Sequence, residues 1–161
     1  MSGTLQVGGV TLATHTESPS KLTLDSGVVF PAGHILNVVN NTKTGTSSTT
    51  STSYVDVTGY SARITPSSAS NKVLVLINAS LGGGGTSGVG IAVYAGASLV
   101  TETKINRVTS VDYYASISYE HSPLTDSEVT YQIKIKAFVG TAVINQDSTM
   151  TSYITLMEIA G

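Results

Sequence analysis

The chain has 161 residues with 8 Lys or Arg against 10 Asp or Glu, a net charge of −2. Only 11% of residues are charged, well below the roughly 25% usual in soluble domains, so no field steers phosphates and nucleic-acid binding is disfavoured. Cysteine is absent, which removes disulfide frameworks, thiolate nucleophiles and cysteine zinc sites together.

The length suits one domain with a core large enough to need no metal or disulfide staple. The start, Met1-Ser2-Gly3-Thr4, shows no basic stretch followed by an apolar one. No apolar run reaches the roughly 20 residues of a membrane-spanning helix. The expectation is a protein made in the cytoplasm, with no membrane partner.

Residues 1–29 carry two short strand-like runs, Leu5 to Thr11 and Lys21 to Asp25, separated by a polar stretch ending at Ser18-Pro19-Ser20. They hold too few large apolar residues for a core of their own. The reading is an extended N-terminal arm that lies on its own body or on a neighbour, followed by a β-sandwich domain over 30–161.

Phe30-Pro31-Ala32-Gly33-His34 turns the chain into a first body strand, Ile35 to Asn40. The Thr/Ser/Gly stretch Asn41 to Ser51 reads as a loop or frayed hairpin. Further strands are predicted near 52–57, 60–65, 72–80, 89–95, 98–104, 112–120, 129–138 and 150–159. Their strongest member is Val129 to Ala137, where apolar and polar residues alternate one by one. Turns are expected at Thr58-Gly59, Pro66-Ser67-Ser68, Leu81 to Gly88, Gly96-Ala97 and Ser122 to Thr125. No window repeats its apolar residues at helical spacing, so the fold class is all-β: an antiparallel, jelly-roll-like sandwich.

Two strands depart from simple alternation. Val73-Leu74-Val75-Leu76-Ile77 is apolar on both faces, and Tyr153 to Ile159 is nearly so. An antiparallel strand with one wet face alternates. The second face is then covered by the arm or another subunit, or the strand is simply a central one under a long loop. Together with the low charge, the expectation is a closed homo-oligomer, with a trimer as first choice.

Reactive groupings are few. Gly83-Gly84-Gly85-Thr86-Ser87-Gly88 has the spacing of a dinucleotide loop, but the sequence beyond it, Val89 to Tyr94, reads as a strand where that motif needs a helix. His15, His34 and His121 lack partners at metal-ligand spacing. Asp126 and Glu128, with Glu120 nearby, are read as a solvated hairpin tip instead of a glycosidase carboxylate pair. Asn145, Asp147 and Ser148 form no calcium loop, and no Gly-x-Ser-x-Gly elbow occurs. Asn40-Asn41-Thr42 and Asn78-Ala79-Ser80 match glycosylation sequons by coincidence in a chain without a leader. Tyr113 and Tyr114 point to opposite faces of one strand, which leaves one exposed. No catalytic residue, cofactor-binding residue or metal ligand is assigned, and no cofactor is expected.

The stretch Phe30 to Val75 resembles a segment of tailed-bacteriophage virion surface proteins. Its most specific pieces are Ser51-Thr52-Ser53-Tyr54-Val55-Asp56-Val57-Thr58-Gly59, Ile64-Thr65-Pro66-Ser67-Ser68 and Asn71-Lys72-Val73-Leu74-Val75. The closing Ile154-Thr155-Leu156-Met157-Glu158-Ile159 also fits. The resemblance implies a virion β-sandwich, commonly trimeric, without catalytic residues. Fibres of that class carry an attachment region and a long shaft, which are not visible here. The expectation is therefore a capsid decoration or cement protein, with itself and a major capsid protein as partners and residues 1–29 as anchor. The alternative is a tail-fibre or appendage tip that binds a host surface glycan through the loops at 81–88 and 121–128.

Overall fold

The structure, a computed structural model, describes residues 3–7, 9–17, 20–24, 30–83, 87–108 and 113–161. It divides into two compact units, residues 1–32 and 33–161. Every regular element among the described residues is a strand.

The first unit is a three-stranded antiparallel meander of β1 (Gly3–Val7), β2 (Val10–Glu17) and β3 (Ser20–Leu24). The run Leu5 to Thr11, read from the sequence as one strand, is broken by a turn at Gly9, whose φ of +83° suits a residue without a Cβ. The stretch expected to be a polar connection is instead largely β2. Ser18 and Pro19 lie outside the described residues.

The second unit contains β4 (Ile35–Thr44), β5 (Ser47–Thr49), β6 (Val55–Ile64), β7 (Lys72–Gly82) and β8 (Ser87–Ala95). It continues with β9 (Ser98–Val108), β10 (Tyr113–His121), β11 (Val129–Val139), β12 (Ala142–Ile144) and β13 (Thr151–Ile159). Leaving out the two three-residue strands, the pairing follows one rule. The first long strand pairs with the last (β4 with β13), the second with the seventh (β6 with β11), the third with the sixth (β7 with β10), and the fourth with the fifth (β8 with β9). This is one long antiparallel hairpin wound around a core, with its tip at Gly96-Ala97.

Winding brings β13 beside β7 and β11 beside β8. The result is two sheets, β4-β13-β7-β10 and β6-β11-β8-β9. That strand order is a jelly roll.

Inward side chains of both sheets make the core: Tyr60, Ile91, Ile133 and Ile135 from one, Val73, Val75, Ile77, Ile154 and Leu156 from the other. Burial of these side chains stabilises the fold by roughly 1.5–3 kcal/mol each for the larger ones.

Two expected turns and loops are structured differently. Thr58-Gly59 lies inside β6, where Gly59 at φ +76° accommodates a bulge opposite Gln132 to Lys134. The Gln132 amide donates to the carbonyls of Val57 (3.0 Å) and Tyr60 (3.3 Å), supplying bonds the bulged ladder cannot. The Asn41 to Ser51 stretch extends β4 to Thr44 and adds β5.

Two polar clusters are sealed into the body. Glu158, only 2% exposed, accepts through Oε1 from Ser67 N (2.6 Å), Ser67 Oγ (2.7 Å) and Asn71 Nδ2 (2.6 Å). Burial pushes this carboxyl up, but the three donors together outweigh it and hold it below the ordinary range. Ser67 and Asn71, before β7, and Glu158, in the last strand, thus meet at one carboxylate.

At the far end of β7, buried Asn145 donates to Lys43 O (2.8 Å) and accepts from Ser152 Oγ (2.7 Å), which in turn accepts from Ser80 N (3.0 Å). This chain of bonds satisfies the backbone where β13 leaves β7 and β12 takes its place.

Candidate functional site

The residues weighed for chemistry are dispersed. Glu120 pairs with Lys72 at 2.6 Å on one sheet, whereas Glu128 meets Arg63 at 3.5 Å beside the other. Asp126 is exposed in the loop between β10 and β11. His121 Nδ1 lies 2.8 Å from the Tyr131 hydroxyl, with the rings edge to face. Burial lowers the His121 pKa and raises that of Tyr131.

Asp147 accepts from Thr149 N and Oγ1 at 2.8 and 2.9 Å, which holds its carboxyl below the ordinary value, while the Asn145 amide is used in the interior. His15 and His34 fall in different units. Among the described residues no group of three His, Cys, Asp or Glu side chains is placed to hold a metal.

The glycine motif is flanked by β7 and β8, without the helix that phosphate binding needs; Gly84, Gly85 and Thr86 lie outside the described residues. Leu81 and His121, at the starts of the two loops expected to contact a glycan, stand at opposite ends of their strand pair. His121 pairs with Val73 at one end of β7, and Leu81 stands at the other end, roughly 26 Å away at 3.3 Å per residue.

Chemistry on this molecule is carried instead by the outer faces of its sheets, which differ. On β6-β11-β8-β9 the outward lysines pair with neighbouring rings and carboxylates. Lys134 bonds Asp56 at 3.0 Å and lies 4.4 Å from the Tyr94 ring centre. Lys136 sits 4.2 Å over Tyr54 and 4.0 Å from Glu102, and Lys104 covers Phe138 at 4.2 Å. Burial and a hydrogen bond to Glu102 raise the Tyr54 pKa. Gly90 makes room for this layer, since a Cβ there would lie 2.9 Å from Lys136 Cγ and 3.0 Å from the Tyr54 hydroxyl.

The outer face of β4-β13-β7-β10 is built from rows fixed by the strand register. One row holds Val38, Met157, Leu74 and Glu120, and an adjacent one holds Ile35, Ile159 and Lys72. Ile35 is 56% and Val38 54% exposed. These rows are apolar apart from the Lys72–Glu120 pair at the margin.

The next two rows change character: Asn40, Thr155, Leu76 and Ser118, then Thr42, Tyr153, Asn78 and Ser116. Here β10, β7 and β13 form an open groove of about 310 Å3 lined by Leu76, Asn78, Ser116, Ser118, Tyr153 and Thr155. Behind it the buried Tyr60 hydroxyl lies 3.1 Å from the carbonyls of both Asn78 and Tyr153 and shares its one proton between them, which fixes the backbone of two lining residues.

Sequence reading found the two-sided strands but not the groove. Tyr113 and Tyr114 are both substantially exposed, instead of one being buried, because β10 is an edge strand.

No family model matches the chain, and no curated protein does. Among solved structures it is similar to the infectious bursal disease virus VP2 subviral particle, at 10% identity over 78% of this chain and 38% of that one, with a TM-score of 0.45. It is also similar to the structure of the Gx strain of that virus, at 11% identity over 85% and 43%, with a TM-score of 0.45. The third is that of T=1 particles derived from the same virus, at 13% identity over 86% and 40%, with a TM-score of 0.45. The chain spans about two-fifths of the length of these proteins. The jelly roll is defined by the strand order itself.

Proposed function

We propose that this protein is a non-enzymatic structural component of a virion, a capsid decoration or cement protein that binds and stabilises the head as a homo-oligomer, with a trimer as first choice. The observation that carries the reading is the apolar half of the β4-β13-β7-β10 outer face. Ile35, Val38, Leu74, Met157 and Ile159 lie side by side there on a sheet whose counterpart has closed its own outer layer with Lys–Tyr and Lys–carboxylate contacts. A contiguous apolar patch on a chain this weakly charged marks a surface meant to be covered.

The dispersion of His121, Glu128 and Asp147 into separate, locally bonded settings, with Asp126 exposed in a loop, supports a structural role over a catalytic one. The sequence resemblance to phage virion surface proteins points the same way, and the fold alone would not. In this reading residues 1–29 anchor the body to the shell or to a sister subunit.

Sedimentation of the purified protein, combined with add-back to particles that lack it, tests the proposal. Self-association, saturable binding and raised heat resistance of the particles are expected. A monomer at all concentrations that leaves the particles unchanged would overturn it.

A further inference from the structure

The geometry points to a second, independent site: the groove over Leu76, Asn78, Ser116, Ser118, Tyr153 and Thr155 is a binding site for a neutral saccharide. It does not rest on the assembly role, which uses the apolar rows beside it.

Three features select this ligand class. First, the lining carries no charge, and the nearest charged pair, Lys72–Glu120, is already closed at 2.6 Å. A charged ligand would find no counter-charge there. A neutral polyol loses little on entering.

Second, the polar groups are positioned with hydrogen-bonding capacity to spare. Asn40 Nδ2 donates to Thr155 Oγ1 at 2.7 Å, and the Thr151 hydroxyl donates to the Tyr153 hydroxyl at 2.7 Å. Each bond occupies an acceptor and leaves the O–H of Thr155 and of Tyr153 as a donor. The Asn78 amide approaches Ser116 Oγ only at 3.5 Å, at the limit of a hydrogen bond, so its donors and acceptor remain nearly uncommitted.

Third, Tyr153, 44% exposed, presents an aromatic surface beside the Leu76 side chain. The apolar C–H face of a pyranose ring packs on such a surface while its hydroxyls meet the surrounding donors and acceptors. About 310 Å3 is at the lower end of small-molecule sites, which fits one or two sugar rings.

The Tyr60 hydroxyl, bonded to the carbonyls of Asn78 and Tyr153, acts as a positioning group. It lies in the core and does not face the ligand.

A printed array of neutral and acidic glycans, followed by NMR titration of the full chain with the best neutral oligosaccharide, tests the site. Saturable binding of a neutral glycan is expected, with the largest shifts at Asn78, Ser116 and Tyr153. Tyr153→Ala should weaken it at least tenfold and Ser116→Trp, which fills the groove, should abolish it. Lys104→Ala on the other sheet should leave it unchanged.

Should Tyr153→Ala fail to fold, Asn78→Leu supplies the same comparison with an expected loss of about tenfold. Binding of acidic glycans alone, no glycan binding, or binding indifferent to Ser116→Trp would each overturn the proposal. So would cross-linking that seats a second copy of the chain over Tyr153.

Discussion

The two outer faces of the jelly roll follow the same alternation rule and reach opposite ends. Over β6-β11-β8-β9, Lys104, Lys134 and Lys136 each have a carboxylate or ring within reach, and Lys134, Lys136, Tyr54 and Tyr94 lie over the buried Gly90 and Ala92. Over β4-β13-β7-β10, the equivalent positions hold Val38, Met157, Leu74 and Ile159, then a band of hydroxyl and amide groups around Tyr153. One face is finished by its own chain, and the other is left for something else. Composition averages over both, which is why a low overall charge hides a layer of four lysine–aromatic contacts.

The strongest way to break this contrast is to give the second face the character of the first. Val38 and Met157 are direct cross-strand neighbours, so the pair Val38→Glu with Met157→Lys keeps a favourable cross-strand contact while charging the patch. Self-association should weaken about 100-fold, some 2.7 kcal/mol, with the melting temperature of the dissociated protein nearly unchanged. Sedimentation velocity and calorimetry report the two quantities separately.

An internal substitution should act on both faces alike. Glu158→Gln replaces a charged acceptor with three donors by a neutral one, at a cost of about 2 kcal/mol. The pH dependence has a definite sign. The folded carboxyl sits below its unfolded value, so its contribution is present above that unfolded value, roughly pH 4.3, and is lost as pH falls through the lower folded one. Urea unfolding across this acid range should show that loss in the parent and a flatter response in Glu158→Gln.

On the finished face, Lys136→Ala removes a cation–π contact with Tyr54 and a long apolar stem, for about 1 kcal/mol of stability. It should leave association untouched. Gly90→Ala disturbs the same layer from below, since its Cβ would meet Lys136 Cγ at 2.9 Å and the Tyr54 hydroxyl at 3.0 Å. A loss of about 1 kcal/mol in chemical denaturation is the expected outcome.

Much of the fold was legible because alternation is a local signal. Val129 to Ala137 and Tyr113 to Glu120 announced their strands in this way, and the apolar second face of Leu74, Leu76 and Met157 was visible as a break in period two. The bulge at Gly59 was not, because a Thr-Gly pair reads as a turn unless Gln132 is known to lie across from it. The meander in residues 3–24 escaped notice for a similar reason: Gly8-Gly9 interrupts what otherwise looks like one run. The groove was hidden more deeply. Asn78, Ser116 and Tyr153 come from three strands, and only the register Ser116–Asn78–Tyr153 places them in one row.

The difference between the faces can be measured directly, since the parent chain contains no cysteine and any single introduced thiol is a unique reporter. Val38→Cys and Lys104→Cys place one on each face, and their labelling rates can be followed from dilute to concentrated protein. The account predicts that the thiol at 38 becomes protected at least tenfold as subunits associate, while that at 104 reacts at a constant rate. Equal reactivity of the two thiols at every concentration, in the free protein and on particles, would contradict it.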